Sequence, residues 1–227
     1  MLPFKIKICG LTDPANVRPT VEAGAQAIGL NFYQQSKRYL DPKLARLVAE
    51  KIPEYIARVG VFVNASIEQV IERTKDCGLD FVQLHGDETP ESMLQLQHAM
   101  MKLPDPPGII KAIRLQHDPE TEIGHMIDEC RQQGVQLGAV LVDAYSVSDY
   151  GGTGSRADWA ALGKWKARRG VPLILAGGIN AKNVIEAIHL VRPDAIDTAS
   201  GVESSPGYKD PELVHRLVEA GLIGDLT

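Results

Sequence analysis

The chain has 227 residues, 44% of them apolar, and its 24 lysine and arginine residues against 29 aspartate and glutamate residues give a formal net charge of −5. This length and apolar content allow one large domain or two small ones with a substantial core. The acidic balance and the lack of a long basic run argue against nucleic-acid binding and against a polybasic membrane contact. A small anionic ligand is still compatible, because helix N-termini and backbone N–H groups bind phosphate without lysine or arginine.

The three cysteines, Cys9, Cys77 and Cys130, are widely spaced and form no C-x-x-C pair. This pattern predicts free thiols in a reducing compartment rather than a disulfide framework or a zinc site. Cys77 and Cys130 fall in predicted helices, so we interpret them as structural. The N-terminus lacks the layout of a signal peptide and no apolar run approaches about 18 residues, so we expect a cytoplasmic protein without membrane contact. The sequence leaves the oligomeric state open, with a monomer as our expectation.

Short β-branched runs alternate with amphipathic stretches along the whole chain. These patterns indicate strands and helices in alternation. The predicted strands cover 5–9, 27–32, 59–63, 81–84, 109–113, 139–143, 173–176 and 195–198. The predicted helices cover 13–24, 41–52, 66–77, 90–102, 119–133, 157–169, 181–191 and 210–220. Several helices begin with capping signals, among them a capping box at Ser66 and Asp-Pro pairs that begin at Asp41 and Asp210.

Eight strand–helix units in a chain of this length predict a single (β/α)8 barrel domain over residues 1–227. A doubly wound parallel sheet is the alternative, because strand–helix alternation alone does not separate the two folds. Two features favour the barrel: the number of units, and polar residues at alternate positions inside the predicted strands, namely Lys7, Gln83 and Lys111. An open sheet covered by helices on both faces reads as more continuously apolar.

In such a barrel the active site lies at the C-terminal ends of the strands. The first strand ends in Cys9, which alternation places on the same face as Lys5 and Lys7, and Gly10 then breaks the strand. A free cysteine is by itself more often a small buried hydrophobe than a reactive group. Its position at a strand tip, on the polar face, makes Cys9 a candidate for chemistry.

Glycine-rich segments follow the last two predicted strands, at Gly177-Gly178 and at Ser200-Gly201. Glycines let the backbone approach an anion closely, and phosphate sites in these barrels commonly form after strands seven and eight. A single pair of this kind usually makes only a tight turn. Two pairs in consecutive units, preceded by Gly152-x-Gly154, favour a phosphate site.

The acid–base candidates are Cys9, His85, Asp143 and Asp197. Asp143 ends the apolar run of the sixth strand, where a carboxyl group has a raised pKa and can act as a general acid, although a helix cap or an ion pair is an equal alternative. His85 precedes a glycine in a loop and is more often an orienting hydrogen-bond donor than a catalyst. The sequence has no G-x-S-x-G element and no metal-ligand spacing, and the glycines near position 152 do not open a helix as a dinucleotide site requires.

Seven segments together resemble the phosphoribosylanthranilate isomerase family of tryptophan biosynthesis. The resemblance runs from about residue 5 to residue 220, and the Cys-Gly pair near its start combined with Ser-Gly-Val-Glu near its end is specific. One departure is Lys37, where the family usually has proline before the arginine. The matching segments are 7–12, 29–32 with 36–39, 59–64, 82–88, Asp143 with 150–154, 175–179 and 197–207.

This resemblance implies a (β/α)8 fold and an Amadori rearrangement of N-(5-phosphoribosyl)anthranilate, with Cys9 as general base and Asp143 as general acid. It also implies that Arg38 holds the anthranilate carboxylate, a role that suits a planar guanidinium. The resemblance implies no cofactor or metal, because the nitrogen of the substrate serves as the electron sink. The remaining implied substrate contacts are a phosphate site at Gly177, Gly178, Ser200 and Gly201, and supporting contacts from His85 and Asp197.

Two other functions stay open from the sequence. One is another phosphate-binding barrel enzyme such as indole-glycerol-phosphate synthase, which needs a catalytic lysine and glutamate at strand tips, whereas Lys7 and Lys111 lie deeper in their strands. The other is a catalytically inactive barrel that binds a sugar phosphate.

Overall fold

Eight parallel strands form a closed barrel in the computed structural model, which describes residues 2–115, 118–143, 159–169 and 171–226. Each strand pairs with the next in chain order, and the last pairs with the first. This closure confirms the predicted (β/α)8 fold and excludes the open, doubly wound sheet. The strands are β1 (Ile6–Cys9), β2 (Ala27–Asn31), β3 (Ala57–Phe62), β4 (Phe81–Leu84), β5 (Gly108–Arg114), β6 (Leu137–Asp143), β7 (Leu173–Ala176) and β8 (Ala195–Thr198).

Helices cover the outside of the barrel. They are α1 (Val17–Glu22), α2 (Pro42–Lys51), α3 (Ile67–Cys77), α4 (Pro90–Met100), α5 (His125–Gln133), α6 (Trp159–Arg169), α7 (Val184–Val191) and α8 (Pro211–Ile223). None of the helices in the described part of the chain is both long and apolar enough to cross a membrane.

Local sequence chemistry sets several helix ends as predicted. Ser66 and Gln69 form the capping box of α3, and the carboxylates of Asp41 and Asp210 accept backbone N–H groups at the starts of α2 and α8. These contacts satisfy amide groups that have no partner within the helix.

The first and fifth helices differ from the predicted continuous helices. The first begins as a 3-10 turn (Pro14–Asn16), and its α-helical part starts only at Val17. Pro19 explains the difference, because it lacks an N–H and its ring would clash with the carbonyl of Ala15 in an α-helix. The fifth helix begins with a π-helical turn (Glu120–Gly124). Residues 157 and 158 of the sixth predicted helix lie outside the described residues.

The barrel has an apolar layer between its strands and helices, an apolar lower interior and a polar upper interior. One cluster of buried side chains lies between the strands and the helices, and a second one, which includes Phe4, Val59 and Leu141, fills the lower interior. Lys7 and Gln83 are buried in the interior above this second cluster, in agreement with the predicted polar pattern.

Lys111 corrects part of that pattern. Its neighbours Ile110 and Ala112 face the barrel interior, so strand alternation places Lys111 on the outer face with Ile109. Its ammonium group donates to Glu88 at 2.7 Å in the loop before α4. The residues before and after Lys111 are all apolar, so the sequence does not show which positions of this strand face inward and which face outward.

Candidate active site

A cavity of about 500 Å³ opens at the C-terminal ends of the barrel strands. Eight of the nine predicted site residues line it: Cys9, Arg38, His85, Asp143, Gly177, Gly178, Asp197 and Ser200. As the strand-tip rule predicts, residues at different strand ends meet in one cavity. They lie up to 191 residues apart in the chain, from Cys9 to Ser200.

Gly201 is the exception, because it does not line the cavity. A Cβ at this position would collide with the carbonyl oxygen of Ile179, which also accepts a 2.7 Å hydrogen bond from Thr198. Gly201 thus lets the loop after β8 pack against the loop after β7. The latter loop contains Gly177 and Gly178, which have φ angles of +92° and +65° that favour glycine.

Cys9 ends β1 and is buried, with 9% of its surface exposed at the cavity wall. Burial raises the pKa of its thiol, while the positive charges of Lys7 and Lys209 oppose that rise and the charge of Asp197 adds to it. Gly29 of β2 lies opposite Cys9 in the strand register. The thiol is therefore mainly protonated in the free protein at neutral pH, with two cations close enough to stabilise a thiolate.

The ammonium group of Lys7 donates to Asp197 at 2.8 Å, in a pair that spans β1 and β8. Lys7 is fully buried and only 11% of the Asp197 side chain is exposed. Burial lowers the pKa of Lys7, but Asp197 and Cys9 outweigh that effect and the net pKa is raised. Lys7 thus stays charged beneath Cys9, and the principal partner of Asp197 is this lysine.

His85 follows β4 and contacts Gln83, whose side-chain nitrogen lies 3.1 Å from Nδ1 of the imidazole ring. Burial lowers the pKa of His85, so the ring is neutral at pH 7. When Gln83 donates to Nδ1, the ring proton resides on Nε2. The pair then presents an N–H donor, not a base.

Asp143 ends β6 and is half-buried at the cavity wall. Its register partner on β5 is Arg114, which also lines the cavity and was not among the predicted site residues. The glycine motif at Gly152 and Gly154, and the family motif at 150–154, lie outside the described residues.

Arg38 donates to Glu203 from Nε at 2.7 Å and from Nη2 at 2.6 Å. Glu203 also accepts from the ammonium group of Lys209 at 2.6 Å. Burial alone would raise the pKa of Glu203, but the bonds from Arg38 and Lys209 lower it to about 2. Lys209 is fully buried, and burial lowers its pKa despite its contact with Glu203.

Sequence reasoning missed the roles of Glu203 and Lys209. They lie on a two-stranded hairpin after β8, formed by β9 (Glu203–Ser205) and β10 (Tyr208–Lys209). The Pro206-Gly207 turn was the available signal for this hairpin. In the described part of the chain, no group of three or more His, Cys, Asp or Glu side chains is arranged to hold a metal ion.

Similarity to known proteins extends over nearly the whole chain. A family model described as N-(5'-phosphoribosyl)anthranilate isomerase matches residues 6–220. This chain belongs to that family. The predicted resemblance is confirmed, and the chain is an isomerase.

Full-length relatives support the assignment. N-(5'-phosphoribosyl)anthranilate isomerase from Trichlorobacter lovleyi is 39% identical over 219 residues, which cover 95% of this chain and 96% of that protein. The enzyme of that name from Thermotoga neapolitana is 39% identical, with 95% and 97% covered. The crystal structure of phosphoribosyl anthranilate isomerase from Thermotoga maritima has a TM-score of 0.81 at 33% identity and covers 96% of this chain and 98% of its own.

A further structure of this family contains reduced 1-(o-carboxyphenylamino)-1-deoxyribulose 5-phosphate. It is 31% identical to this chain, has a TM-score of 0.79 and covers 96% of this chain and 98% of its own. Another structure shows monomers generated from the dimeric Thermotoga maritima enzyme, at 30% identity and a TM-score of 0.78, with 96% and 98% covered. Both of these chains match the present fold over nearly their whole length.

Proposed function

We propose that this protein converts N-(5'-phosphoribosyl)anthranilate to 1-(2-carboxyphenylamino)-1-deoxyribulose 5-phosphate in tryptophan biosynthesis. The observation that carries the proposal is one cavity lined by the Cys9 thiol from β1, the Asp143 carboxyl from β6 and the glycine loop after β7. The relatives that match nearly the whole chain bear the name of this activity.

The first step assigned to Asp143 is protonation of the ring oxygen of the ribose. The bond between this oxygen and C1′ breaks, and the nitrogen lone pair forms a protonated Schiff base. The substrate's own nitrogen therefore accepts the electrons of the next step. Positioned acids of this kind typically contribute about 10²- to 10⁴-fold to the rate.

Cys9, as thiolate, then removes the proton from C2′ and gives an enolamine, which tautomerises to the ketone with protonation at C1′. Lys7 and Lys209 support this role because both favour the thiolate. The raised pKa of Cys9 means that a minority of the free enzyme carries the reactive form at neutral pH. This agrees with a mechanism in which the less populated protonation state reacts.

The two ends of the substrate are negatively charged, and each has a suitable partner in the cavity. We assign the anthranilate carboxylate to Arg38 and the phosphate to the segment with Gly177, Gly178, Ser200 and the adjacent Gly201. Positive φ angles at the first two glycines allow a close approach of the backbone to an anion. His85 and Asp197 then support the sugar and the thiol rather than transfer protons.

The lysine-dependent alternative has less support than the proposed reaction. Lys7 is engaged with Asp197 in the interior, and Lys111 lies on the outer face with Glu88. Neither ammonium group lines the cavity. We keep a monomer as the expected state, and size-exclusion chromatography with light scattering tests it.

The test is an assay in which purified protein is added to freshly formed phosphoribosylanthranilate without any cofactor. The loss of substrate fluorescence over time measures the turnover. We expect turnover by the wild type, and turnover near zero for Cys9→Ala with the affinity for the reduced product within about a few-fold, because the thiol acts in the transition state. Asp143→Asn should lower kcat by about 10²- to 10⁴-fold.

Cys130→Ala is the matched control, since it removes a buried thiol from α5, outside the cavity, and should keep its rate. Wild-type protein that binds the reduced product without turnover would instead indicate an inactive barrel. A Cys9→Ala variant with near-normal kcat would remove Cys9 from the mechanism.

A further inference from the structure

The guanidinium group of Arg38 is held along one edge before any ligand arrives. Glu203 accepts one N–H from Nε and one from Nη2, the two donors that form the side edge of the group. Within the described residues, Nη1 makes no hydrogen bond with protein. The edge formed by Nη1 and Nη2 is thus left to bind a second carboxylate in the bidentate manner typical of arginine.

We propose that Glu203 and Lys209 are positioning residues, which orient Arg38 so that its end edge meets the carboxylate of the substrate. The inference rests on the proposed function, in which Arg38 binds that carboxylate. It adds two residues, outside the cavity lining, to the recognition of the aromatic end of the substrate.

Glu203 is itself fixed by a dense set of donors. Besides Arg38, it accepts from Lys209 at 2.6 Å and from the backbone N–H of Gly207 at 3.0 Å. Its side chain is 6% exposed and that of Lys209 is fully buried. A carboxylate held in this way has one orientation, and so does the planar group bonded to it.

The hairpin that carries both residues is anchored to the segment that follows Cys9. The backbone N–H of Lys209 donates to Oδ1 of Asn16 at 2.6 Å, and Nδ2 of Asn16 donates to the carbonyl of Lys209 at 2.8 Å. The backbone N–H of Thr12 donates to the carbonyl of Gly207 at 3.0 Å. The position of Arg38 is therefore set relative to the thiol.

The aliphatic part of Arg38 is fixed as well. It lies on Gly10, the residue after Cys9, where a Cβ would collide with Cδ of the arginine. Gly10 also has a φ of +80°, which favours glycine. Arg38 is thus constrained at its stem by Gly10 and at its head by Glu203.

Lys209 gives the cluster the charge that ligand binding needs. Arg38 and Glu203 alone would form a neutral pair, with little net attraction for another carboxylate. The ammonium group of Lys209 on the same Glu203 oxygen gives the three residues a net charge of +1, since two cations share one carboxylate. An ion pair with only a structural role does not need a net positive charge.

The experiment compares two non-reacting ligands: the reduced product, and the same molecule with phenyl in place of carboxyphenyl. Calorimetry gives the dissociation constant of each ligand. The constant of the phenyl compound divided by that of the reduced product is the ratio that measures how much the affinity depends on the carboxylate. We expect Arg38→Met and the charge-matched double variant Glu203→Gln/Lys209→Met each to reduce this ratio by about 10- to 100-fold, as for charge-assisted hydrogen bonds. In the Arg38→Met background, the same two substitutions should then have no further effect on the ratio, because they leave the net charge unchanged.

Glu88→Gln is the matched control. Glu88 also accepts from a buried lysine at 2.7 Å and from a backbone N–H, that of Gly86, at 3.0 Å, but it does not contact Arg38. This variant should lose comparable stability and keep the wild-type ratio. A general structural weakening would lower the ratio in both variants, and that result would overturn the inference.

Removal of Glu203 leaves Lys209 buried without its counter-charge and can prevent folding. Glu203→Gln alone would also raise the net charge of the three residues to +2. The double variant Glu203→Gln/Lys209→Met avoids both effects, because it keeps the net charge of +1, and therefore tests the orientation of Arg38. Lys209→Met alone should also lower the ratio, because the cluster becomes neutral.

The outcomes separate the two proposals. An unchanged ratio in Glu203→Gln/Lys209→Met, with a reduced ratio in Arg38→Met, would reject the positioning role and leave the proposed function intact. An unchanged ratio in Arg38→Met would reject both the role of Arg38 and this inference. Absence of wild-type turnover with an intact carboxylate-dependent ratio would reject the proposed reaction alone.

Discussion

Gly29 lies opposite Cys9 in the β1–β2 register, and a Cβ at position 29 would lie 2.6 Å from the Cys9 Sγ. The backbone of Gly29 does not have a positive φ, so its conformation is open to other residues. The missing side chain at position 29 therefore serves to make room for the thiol.

Gly29→Ala should displace Cys9 without unfolding the barrel. Besides Sγ, the new Cβ would lie 3.0 Å from the Cys9 Cα, so the end of β1 has to shift. A shift of about 1 Å in a reacting group can lower the rate by about 10²-fold. We expect a fall of that order in kcat, measured by the fluorescence assay, and a small change in the affinity for the reduced product.

Gly221→Ala is the control for this prediction. Position 221 lies in α8, and a Cβ there makes an ordinary contact of 3.6 Å with Ile6. This variant should keep its kcat and gain slight stability, because alanine favours a helix. Equal rates for Gly29→Ala and the wild type would show that the thiol position is not critical.

Cys9 should react with iodoacetamide at a rate that rises with pH beyond pH 9. Burial raises the pKa of the thiol, and only the thiolate reacts, so the rate should rise about tenfold per pH unit from neutral pH. Lys7→Met removes a cation that favours the thiolate and should slow the reaction further. Mass spectrometry of the labelled peptide gives the rate at Cys9.

Cys77 and Cys130 provide internal controls, because burial raises the pKa of each thiol to about 11. Neither thiol lines the cavity, so only Cys9 should be protected by the reduced product. A plateau in the rate below pH 8 would contradict the raised pKa.

Asp197→Asn should destabilise the fold strongly. It leaves the charged, fully buried ammonium of Lys7 without a counter-ion, and broken buried pairs typically cost about 3–5 kcal/mol. Urea denaturation followed by circular dichroism measures the loss. The double variant Lys7→Met/Asp197→Asn should recover much of it, because no unpaired charge is buried.

Glu22→Gln is the surface comparison for that pair. Arg18 and Glu22 also form an ion pair at 2.7 Å, but their side chains are 84% and 62% exposed. Solvent screens such pairs, so the urea midpoint should stay at the wild-type value. A loss of stability in Asp197→Asn no larger than in Glu22→Gln would show that Lys7 does not need its partner.

The contribution of Glu203 to stability should disappear in acid. Its pKa of about 2 in the folded protein lies below the usual value of about 4.3, so the folded state favours the carboxylate. The resulting stabilisation is present above pH 4.3 and is lost as the pH falls towards 2. The urea midpoint of Glu203→Gln should thus lie well below that of the wild type at pH 6 and approach it near pH 2.5.

Glu219→Gln, on the exposed surface of α8, is the control for the acid prediction. Its urea midpoint should follow the wild-type curve at every pH. If the gap between Glu203→Gln and the wild type were constant from pH 6 to pH 2.5, the carboxylate of Glu203 would not be the stabilising group.

The strands were predictable because their signals are local. β4, β7 and β8 have the bounds that the sequence predicts, since short β-branched runs end there at turn residues. The lining of the cavity followed from one general rule, that function lies at the C-terminal ends of barrel strands. The rule predicts that Cys9 and Asp143 line the same cavity, and it needs no information on their contacts.

Partners in long-range contacts were not predictable in the same way. The bonds between Asn16 and Lys209 span 193 residues, and no periodic pattern indicates them. The strands β9 and β10 are only three and two residues long, so alternation has too few positions to be detected. Arg38 was identified as a ligand-binding residue, but its pairing with Glu203 depends on this hairpin.

The pairing of β1 with β8 has a consequence for folding during synthesis on the ribosome. Lys7 emerges early, whereas its counter-ion Asp197 lies 190 residues later in the chain. Because synthesis proceeds from the N-terminus, the thiol of Cys9 is made long before Asp197 and Lys209, two of the charged groups that act on it. The hairpin that orients Arg38 follows Asp197 within a few residues, so barrel closure and site assembly complete together. A chain that stops before β8 therefore carries an uncompensated charge on an open sheet edge, and activity first appears when the ring of strands is closed.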